Sequence, residues 1–390
     1  QKMLRFLETS GWSADVLTVL LDDPREQDPA RLEDLPPGTR VLAVPQSALE
    51  DRLLKRVART VGQLRAVAAS RSPVGDASMG ATRDGAASAA AVGTRVSAGR
   101  GYRQIVRLAL YRRAQRIASR VLSDSALGFA ADRYDVVVSS GPPHSAHLAA
   151  RRVAARLRLP WIMDWRDPWT FDEFLAQFDA DEYARAERPS ESRCVRDADL
   201  IVVNTPPVAR RLSALYPTAA PRIITIPNGA DVEPLPEVRR DARFRVVYAG
   251  SLFEGRDPRV FMRAMRELRD AHAVPERDIV LQFVTGQDRY DGRLLTDWAR
   301  EYGVQAMVEF HAFMPRARLL DWMAGTAVNI LIQIPSTYQI PAKLFEYMQQ
   351  PAWLVAVTNP PNAISEMLEG SEGLVVPADH AQVAKALPAA

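Results

Sequence analysis

Short apolar runs of strand length alternate along the chain with stretches in which apolar residues return every third or fourth position. Met3, Leu4 and Leu7 fall on one side of a helix, Gly11 ends that pattern, and Ala14–Leu20 reads as a strand. A start on a helix is expected of a chain that begins inside a domain, after a strand that precedes that helix. A loop of aspartates and prolines over 22–39 leads to the strand Arg40–Val44. Tyr134–Ser139, Leu159–Asp164, Ala198–Asn204 and Arg222–Ile226 follow as strands, with a helix rich in Ala and Arg over 145–157 and a polar helix before residue 198. Residues 231–242 are rich in proline and charge, and then the alternation restarts with Phe244–Ala249. A helix from Pro258 to His272, strands Ile279–Thr285, Val308–His311 and Val328–Ile334, a helix over 341–349 and the strand Ala352–Val357 complete it.

Strands alternating with helices imply parallel sheets with right-handed crossovers. The expectation is therefore an α/β protein of two doubly wound, Rossmann-like domains facing across a cleft, residues 1–232 and 233–390. The segment 231–242 serves as linker. Residues 72–101 break the pattern, being dominated by Ser, Gly, Ala and Asp without apolar periodicity. They predict a flexible insertion, read either as plain disorder or as a lid.

Composition narrows the picture. With 390 residues, 47% of them hydrophobic, two substantial cores are within reach. The single cysteine, Cys194, excludes an internal disulfide and any metal site built on several thiolates, and the five histidines are scattered. This usage suits a reducing cytoplasm. No apolar stretch approaches the roughly 18–20 residues of a membrane span, and no signal peptide opens the chain. The net charge is only +3, but it is uneven. Arg52, Lys55, Arg56 and Arg59 flank the apolar row Leu54, Val57, Val61 and Leu64, while Arg112, Arg116 and Arg120 accompany Val106, Leu110, Ile117 and Val121. Two readings stand: solvated faces of surface helices, or peripheral contact with an anionic membrane at its inner face. No nucleic-acid-binding module is recognisable, so nucleic acid is not an expected partner.

In open parallel sheets ligands bind beyond the carboxyl ends of the strands. Four loops there carry candidate chemistry. In Gln339-Ile340-Pro341-Ala342-Lys343, Pro341 fits a first helical turn, and the backbone N–H groups of a helix start can face a diphosphate. Lys343 adds a full charge, and Glu346 is an acceptor-only group able to take two ribose hydroxyls. The plain alternative is that both are exposed while Leu344, Phe345 and Met348 pack inward. In Ala249–Arg256, Gly250 lets a ligand approach the backbone, Ser251 offers a hydroxyl, and Arg256 can grip a diphosphate at two points. As a mere tight turn that loop needs no ligand. His144 ends Ser139–His144, either as a proton or hydroxyl handler or as a neighbour of a helix cap. Asp164, Arg166 and Asp167 are interleaved with Trp165 and Trp169 just past a buried strand, a costly loop unless something binds there.

Taken in order, Ser139–Ser145, Asp164–Trp169, Pro227–Asp231, Tyr248–Arg256, Thr285-Gly286 and Pro341–Met348 resemble the retaining GT-B glycosyltransferases of family GT4. The match is to the branch with bacterial exopolysaccharide, capsule and lipid-linked-saccharide transferases. It covers most of the chain from about residue 130 onward. The resemblance implies a donor site in the second domain, formed by Gly250, Ser251, Arg256, Thr285, Gly286, Tyr338, Gln339, Ile340, Lys343 and Glu346, and an acceptor side in the first, formed by His144, Arg166 and Asp167. Glu346 matches the second member of the family's paired glutamates, which holds the donor ribose, and Arg256 the residue that neutralises the departing diphosphate. His144 matches the histidine close to the transferred sugar. Tyr338 stands where the first paired glutamate is usual, Ser251 where many relatives have arginine, and the family's first strand with its glycine loop is not in this sequence.

The implied reaction moves a sugar from a nucleoside diphosphate sugar to an acceptor hydroxyl with retention of configuration. No metal and no cofactor is expected besides the donor substrate, and His144, Asp164, Arg256 and Lys343 are the candidate catalytic residues. The acceptor is a saccharide, a lipid-linked group or a small molecule. A sugar-nucleotide epimerase on the same scaffold and a non-catalytic sugar-nucleotide binder are the rival readings.

Overall fold

A computed structural model describes residues 2–20, 35–45, 111–112, 114–119, 131–171, 180–230, 237–238, 241–252, 256–271, 274–333 and 336–389. The expected insertion at 72–101, the basic stretch from Arg52 to Leu64, and much of the expected linker lie outside these residues. The chain divides into two compact units, residues 1–163 with 197–199, and residues 164–196 with 200–390.

In the first unit, α1 (Lys2–Thr9) precedes β1 (Val16–Leu20), which pairs in parallel with β2 (Val41–Pro45) from Val16↔Val41 to Leu20↔Pro45. Asp15 joins this pair to the chain before β3 (Val137–Gly141), accepting from Arg40 at 2.6 Å and from the Tyr134 hydroxyl at 2.5 Å. That commitment explains why β3 begins later than the predicted Tyr134. Helical residues 114–119 pack on α2 (Ser145–Leu157) through Ala114, Ala118, Ala149 and Val153. In that helical stretch Arg112 is exposed whereas Arg116 is half-buried, so the arginines do not form one uniformly solvated stripe. Strand β4 (Trp161–Trp165) starts against β3, with the Val137 N–H donating to the Pro160 carbonyl.

A four-stranded sheet has the order β3–β4–β5–β6, where β5 is Leu200–Val203 and β6 Ile223–Thr225. Helix α3 (Ala180–Asp197) leads into β5, and α4 (Pro206–Leu215) connects β5 to β6. The second sheet has six parallel strands in the order β11–β8–β7–β12–β13–β14. They are β7 (Phe244–Ala249), β8 (Ile279–Val284), β11 (Val308–His311), β12 (Val328–Ile332), β13 (Trp353–Val357) and β14 (Leu374–Val376); β9 (Arg289–Tyr290) and β10 (Arg293–Leu294) form a small hairpin.

Alternation along these strands sorts side chains into two layers. Val246 and Tyr248 face one core with Phe261 and Met265 of α5 (Arg259–Asp270), Leu295 of α6 (Leu295–Glu301) and Leu387 of α10 (His380–Ala389). Val247 and Ala249 face the other, with Met323 of α7 (Arg316–Met323), Leu344 and Tyr347 of α8 (Lys343–Tyr347), and Ile364 of α9 (Ala363–Leu368). Both faces are covered, which is why β8 is buried at every position. Helix α8 is shorter than the predicted 341–349. Pro341 stands before it, its carbonyl accepting from the Leu344 N–H at 3.0 Å, and Lys343 opens the helix. The inward residues are Leu344 and Tyr347, whereas Met348 is 48% exposed. The fold class is the expected one: α/β, with Rossmann-like parallel sheets.

Candidate functional site

Beyond the carboxyl end of β7 the chain turns at Gly250, whose φ of +147° lies outside the range that L side chains favour. A Cβ there would come within 3.0 Å of the Lys343 Nζ and press the end of that side chain aside. The Lys343 ammonium donates to the Ala249 carbonyl at 3.1 Å and lies 4.2 Å from the Tyr248 ring centre. The Tyr347 hydroxyl donates to the same carbonyl at 3.2 Å. Among the described residues no carboxylate pairs with this lysine. Burial, reinforced by the nearby Arg256 charge, brings its pKa down to about 7. Arg256 donates to Gln333 Oε1 at 2.7 Å and engages the Tyr248 hydroxyl, and burial lowers its pKa as well. That hydroxyl donates onward to the Ser251 carbonyl at 2.8 Å.

Arg256 and Gln333 border a cavity of about 340 Å³ within the second unit, together with Arg166, Asp167, Asn204, Asn228, Gln339, Ile340, Pro341 and Ala342. Its lining is dominated by guanidinium and carboxamide groups. Arg166 is paired with Asp164 at 3.3 Å and donates to Asn228 Oδ1. Asp167 accepts from Gln339 Nε2 at 3.0 Å, and burial raises its carboxyl pKa despite that bond. Asn204 is 4% exposed; its Nδ2 donates to the Arg166 carbonyl, while its Oδ1 has no hydrogen-bond donor among the described residues.

The structure thus gathers five of the anticipated residues around one cavity: Arg166, Asp167, Arg256, Gln339 and Ile340. Gly250 and Lys343 stand with Arg256 and Tyr248 at the end of β7 and do not line it. Ser251 contributes a carbonyl rather than its hydroxyl. The Thr285 hydroxyl donates to Gln287 Oε1, which also accepts from the Leu252 N–H and so ties the β7 and β8 loops together, and Gly286 beside it is open to solvent. The Tyr338 ring packs edge-on against Phe171 at 5.1 Å, and its carbonyl accepts from Thr205. Glu346 is paired with Arg316 at 3.2 Å. His144, in the first unit, sits at the N-cap of α2 without a side-chain cap bond, its ring centre 5.7 Å from that of His147.

Three residues were missed. Asn204 and Gln333 directly follow β5 and β12, but the expected strands Ala198–Asn204 and Val328–Ile334 ran over both positions and hid them from the strand-end rule. His147 is buried against Ser139, 2.8 Å from Nδ1 to Oγ, and burial lowers its pKa well below the usual histidine value. Its spacing of three from His144 was the available signal. Among the described residues, no group of three or more His, Cys, Asp or Glu side chains is arranged to hold a metal ion, and no helix is long and apolar enough to cross a membrane.

Residues 81–234 match the family model described as Glycosyltransferase Family 4. A D-inositol 3-phosphate glycosyltransferase 1 of Catenulispora acidiphila is 28% identical over 219 residues, 52% of each chain. The chain spans about half the length of the curated relatives it matches. Among solved structures, a sucrose-phosphate synthase from Thermosynechococcus elongatus aligns with 100% of this chain and 82% of its own at a TM-score of 0.54 and 15% identity. A glycosyltransferase from Rickettsia africae aligns with 97% of this chain and 88% of its own at a TM-score of 0.55 and 10% identity. At such identities the likeness is one of fold, and that fold is the GT-B type.

Proposed function

We propose that the protein transfers a hexose-type unit from a nucleoside diphosphate sugar to an acceptor hydroxyl, with retention of configuration and without a metal ion. The single observation that carries the reading is a pair of half-buried cations beyond β7, Arg256 at the cavity wall and Lys343 against Gly250, both with pKa values lowered by desolvation. Partial desolvation of two neighbouring positive charges is costly, and a diphosphate offsets that cost. As the glycosidic bond breaks, negative charge grows on the leaving diphosphate, and Arg256 and Lys343 stabilise it there. Glu346 holds the ribose, exchanging Arg316 for two hydroxyls, while Gly250, Ser251, Thr285, Gly286 and the Tyr338–Ile340 segment complete the donor side.

The other groups bordering the cavity suit sugar hydroxyls. Asp167, Asn204, Asn228, Gln333 and Gln339 offer donors and acceptors, and Asn204 Oδ1 is ready for an O–H donor. Acceptor and transferred sugar meet here, with Arg166 and Asp167 on the acceptor side and Asp164 steadying Arg166. A polyhydroxylated acceptor, saccharide or cyclitol, free or lipid-linked, fits this lining. The setting is the cytoplasm, in polysaccharide, glycolipid or glycosylated natural-product synthesis.

A thermal-shift screen of common sugar nucleotides, followed by mass spectrometry of products with the best binder, tests the proposal. A new glycoside that carries the donor sugar is expected. An isomerised sugar nucleotide formed without acceptor would identify an epimerase instead, and tight donor binding without turnover across a broad acceptor panel would identify a binder.

A further inference from the structure

Two carboxylates of α3, Glu187 and Glu191, are 8% and 0% exposed. A buried carboxylate is tolerated only where donors converge on it. Glu191 receives three: the Thr170 N–H at 2.8 Å, the Thr170 hydroxyl at 3.0 Å and the Tyr216 hydroxyl at 2.7 Å. One turn earlier, Glu187 accepts from the Trp169 indole N–H at 3.1 Å. Trp169 and Thr170 close the loop whose earlier residues, Arg166 and Asp167, border the cavity. At the Arg166 end that loop is held by Asn204, which donates to the Arg166 carbonyl.

The chemistry of the partners explains why an acceptor occupies position 191. In this arrangement all three groups donate, and the two carboxylate oxygens take them together. Glutamine could keep the three contacts, accepting from the Thr170 N–H and donating its NH2 to the two hydroxyl oxygens, so the informative contrast is an apolar residue. An apolar residue would orphan the Thr170 backbone N–H, which is harder to satisfy elsewhere than a hydroxyl that can rotate.

We propose that Glu191, seconded by Glu187, is a positioning residue for the transfer reaction. By fixing Trp169 and Thr170 it sets where Arg166 and Asp167 stand at the cavity, and so aligns the acceptor without touching it. This inference rests on the cavity being the transfer site. Its distinguishing consequence is asymmetry: Arg256 is held by Gln333 and Lys343 by the Ala249 carbonyl, and the loop reaches the donor side through the Asp167–Gln339 bond rather than through either cation.

Steady-state kinetics of Glu191→Leu and Thr170→Val, alongside donor affinity by calorimetry, test it with the sugar nucleotide and acceptor that the wild type uses. Glu191→Leu is expected to lower kcat about 10- to 100-fold, the usual scale for slight misplacement of reacting groups, and to raise acceptor KM several-fold. Donor Kd stays within about twofold. Thr170→Val keeps the shape, removes one donor, and shifts the same two parameters by less. A folded Glu191→Leu protein with a lower melting temperature but unchanged kcat and acceptor KM would reduce Glu191 to a structural role. Equal loss of donor and acceptor binding would overturn the proposal too. Should Glu191→Leu fail to fold, unchanged kinetics in folded Thr170→Val overturns it. Asp167→Asn separates the two levels: if that variant turns over normally, the reading of the cavity fails rather than the positioning role.

Discussion

The two sides of the cavity carry arginine in different states. Arg166 is already paired with Asp164 and bonded to Asn228, so its charge is largely offset within the loop. Arg256 faces the neutral oxygens of Gln333 and Tyr248, and beside it Lys343 is held by a carbonyl and an aromatic ring. Burial drives both of these basic pKa values down, the mark of charge kept at a cost in solvation. On the proposed reading the diphosphate lies on the Arg256–Lys343 side and hydroxyl recognition on the Arg166–Asp167 side.

Substituting each arginine breaks or sharpens this contrast most directly. Arg256→Ala is expected to lower kcat by about 100- to 1,000-fold, the scale of losing one donor to a developing anion. Arg166→Ala should cost no more than about tenfold, seen mainly in acceptor KM. Equal losses in kcat would erase the distinction between the two sides.

The second test is pH. Free Lys343 loses its proton near pH 7, whereas a bound diphosphate keeps it protonated, so donor binding above that pH takes up a proton. Donor affinity then falls by up to about tenfold per pH unit above neutrality. Calorimetry at pH 8 in buffers of differing ionisation enthalpy reads the uptake directly. The stability effect has the opposite sign. Because the folded pKa of about 7 lies below the ordinary 10.5, the folded state disfavours the charged form, and stability rises as pH increases between those values. Lys343→Met should therefore melt higher than wild type at pH 6 while binding donor poorly. A lower melting temperature would show that the ammonium contacts outweigh desolvation.

Glu346 gives a smaller effect on the same side. Glu346→Gln keeps one acceptor oxygen and is expected to weaken donor binding about tenfold, near the net worth of one charged hydrogen bond. Unchanged donor Kd would remove Glu346 from the ribose.

How far these contrasts could be read from sequence depended on whether a contact is local. The mostly apolar run of β7, broken only by Arg245, and the 3.6-residue period of α2 located both elements at the bounds they adopt, Phe244–Ala249 and Ser145–Leu157. Lys343 was expected to present a full charge in a helical first turn. Its placement against Tyr248 and Gly250 comes from sheet order, which brings β7 beside β12 and the α8 loop after it, and no local pattern encodes that. Glu187 and Glu191 likewise lie in a helix that reads as polar, and their burial depends on Trp169, Thr170 and Tyr216 from elsewhere in the chain. Asn204 and Gln333 were hidden because the apolar runs read as strand through both positions, whereas β5 and β12 end at Val203 and Ile332.

The smallest effect concerns Arg316, whose pairing with Glu346 couples the start of α7 to the donor side. Both side chains are partly exposed, at 44% and 31%, so the pair is solvent-screened and contributes at most about 0.5 kcal/mol to stability. If Glu346 takes the ribose hydroxyls, Arg316 competes for the same carboxylate in the free protein. Arg316→Ala should then leave the melting temperature nearly unchanged and tighten donor binding by up to about twofold, that same energy released. Should Arg316 instead contact the nucleotide itself, the substitution would weaken binding. The sign of a small change in donor Kd therefore separates a competitor from a ligand, and it does so without disturbing Arg256 or Lys343.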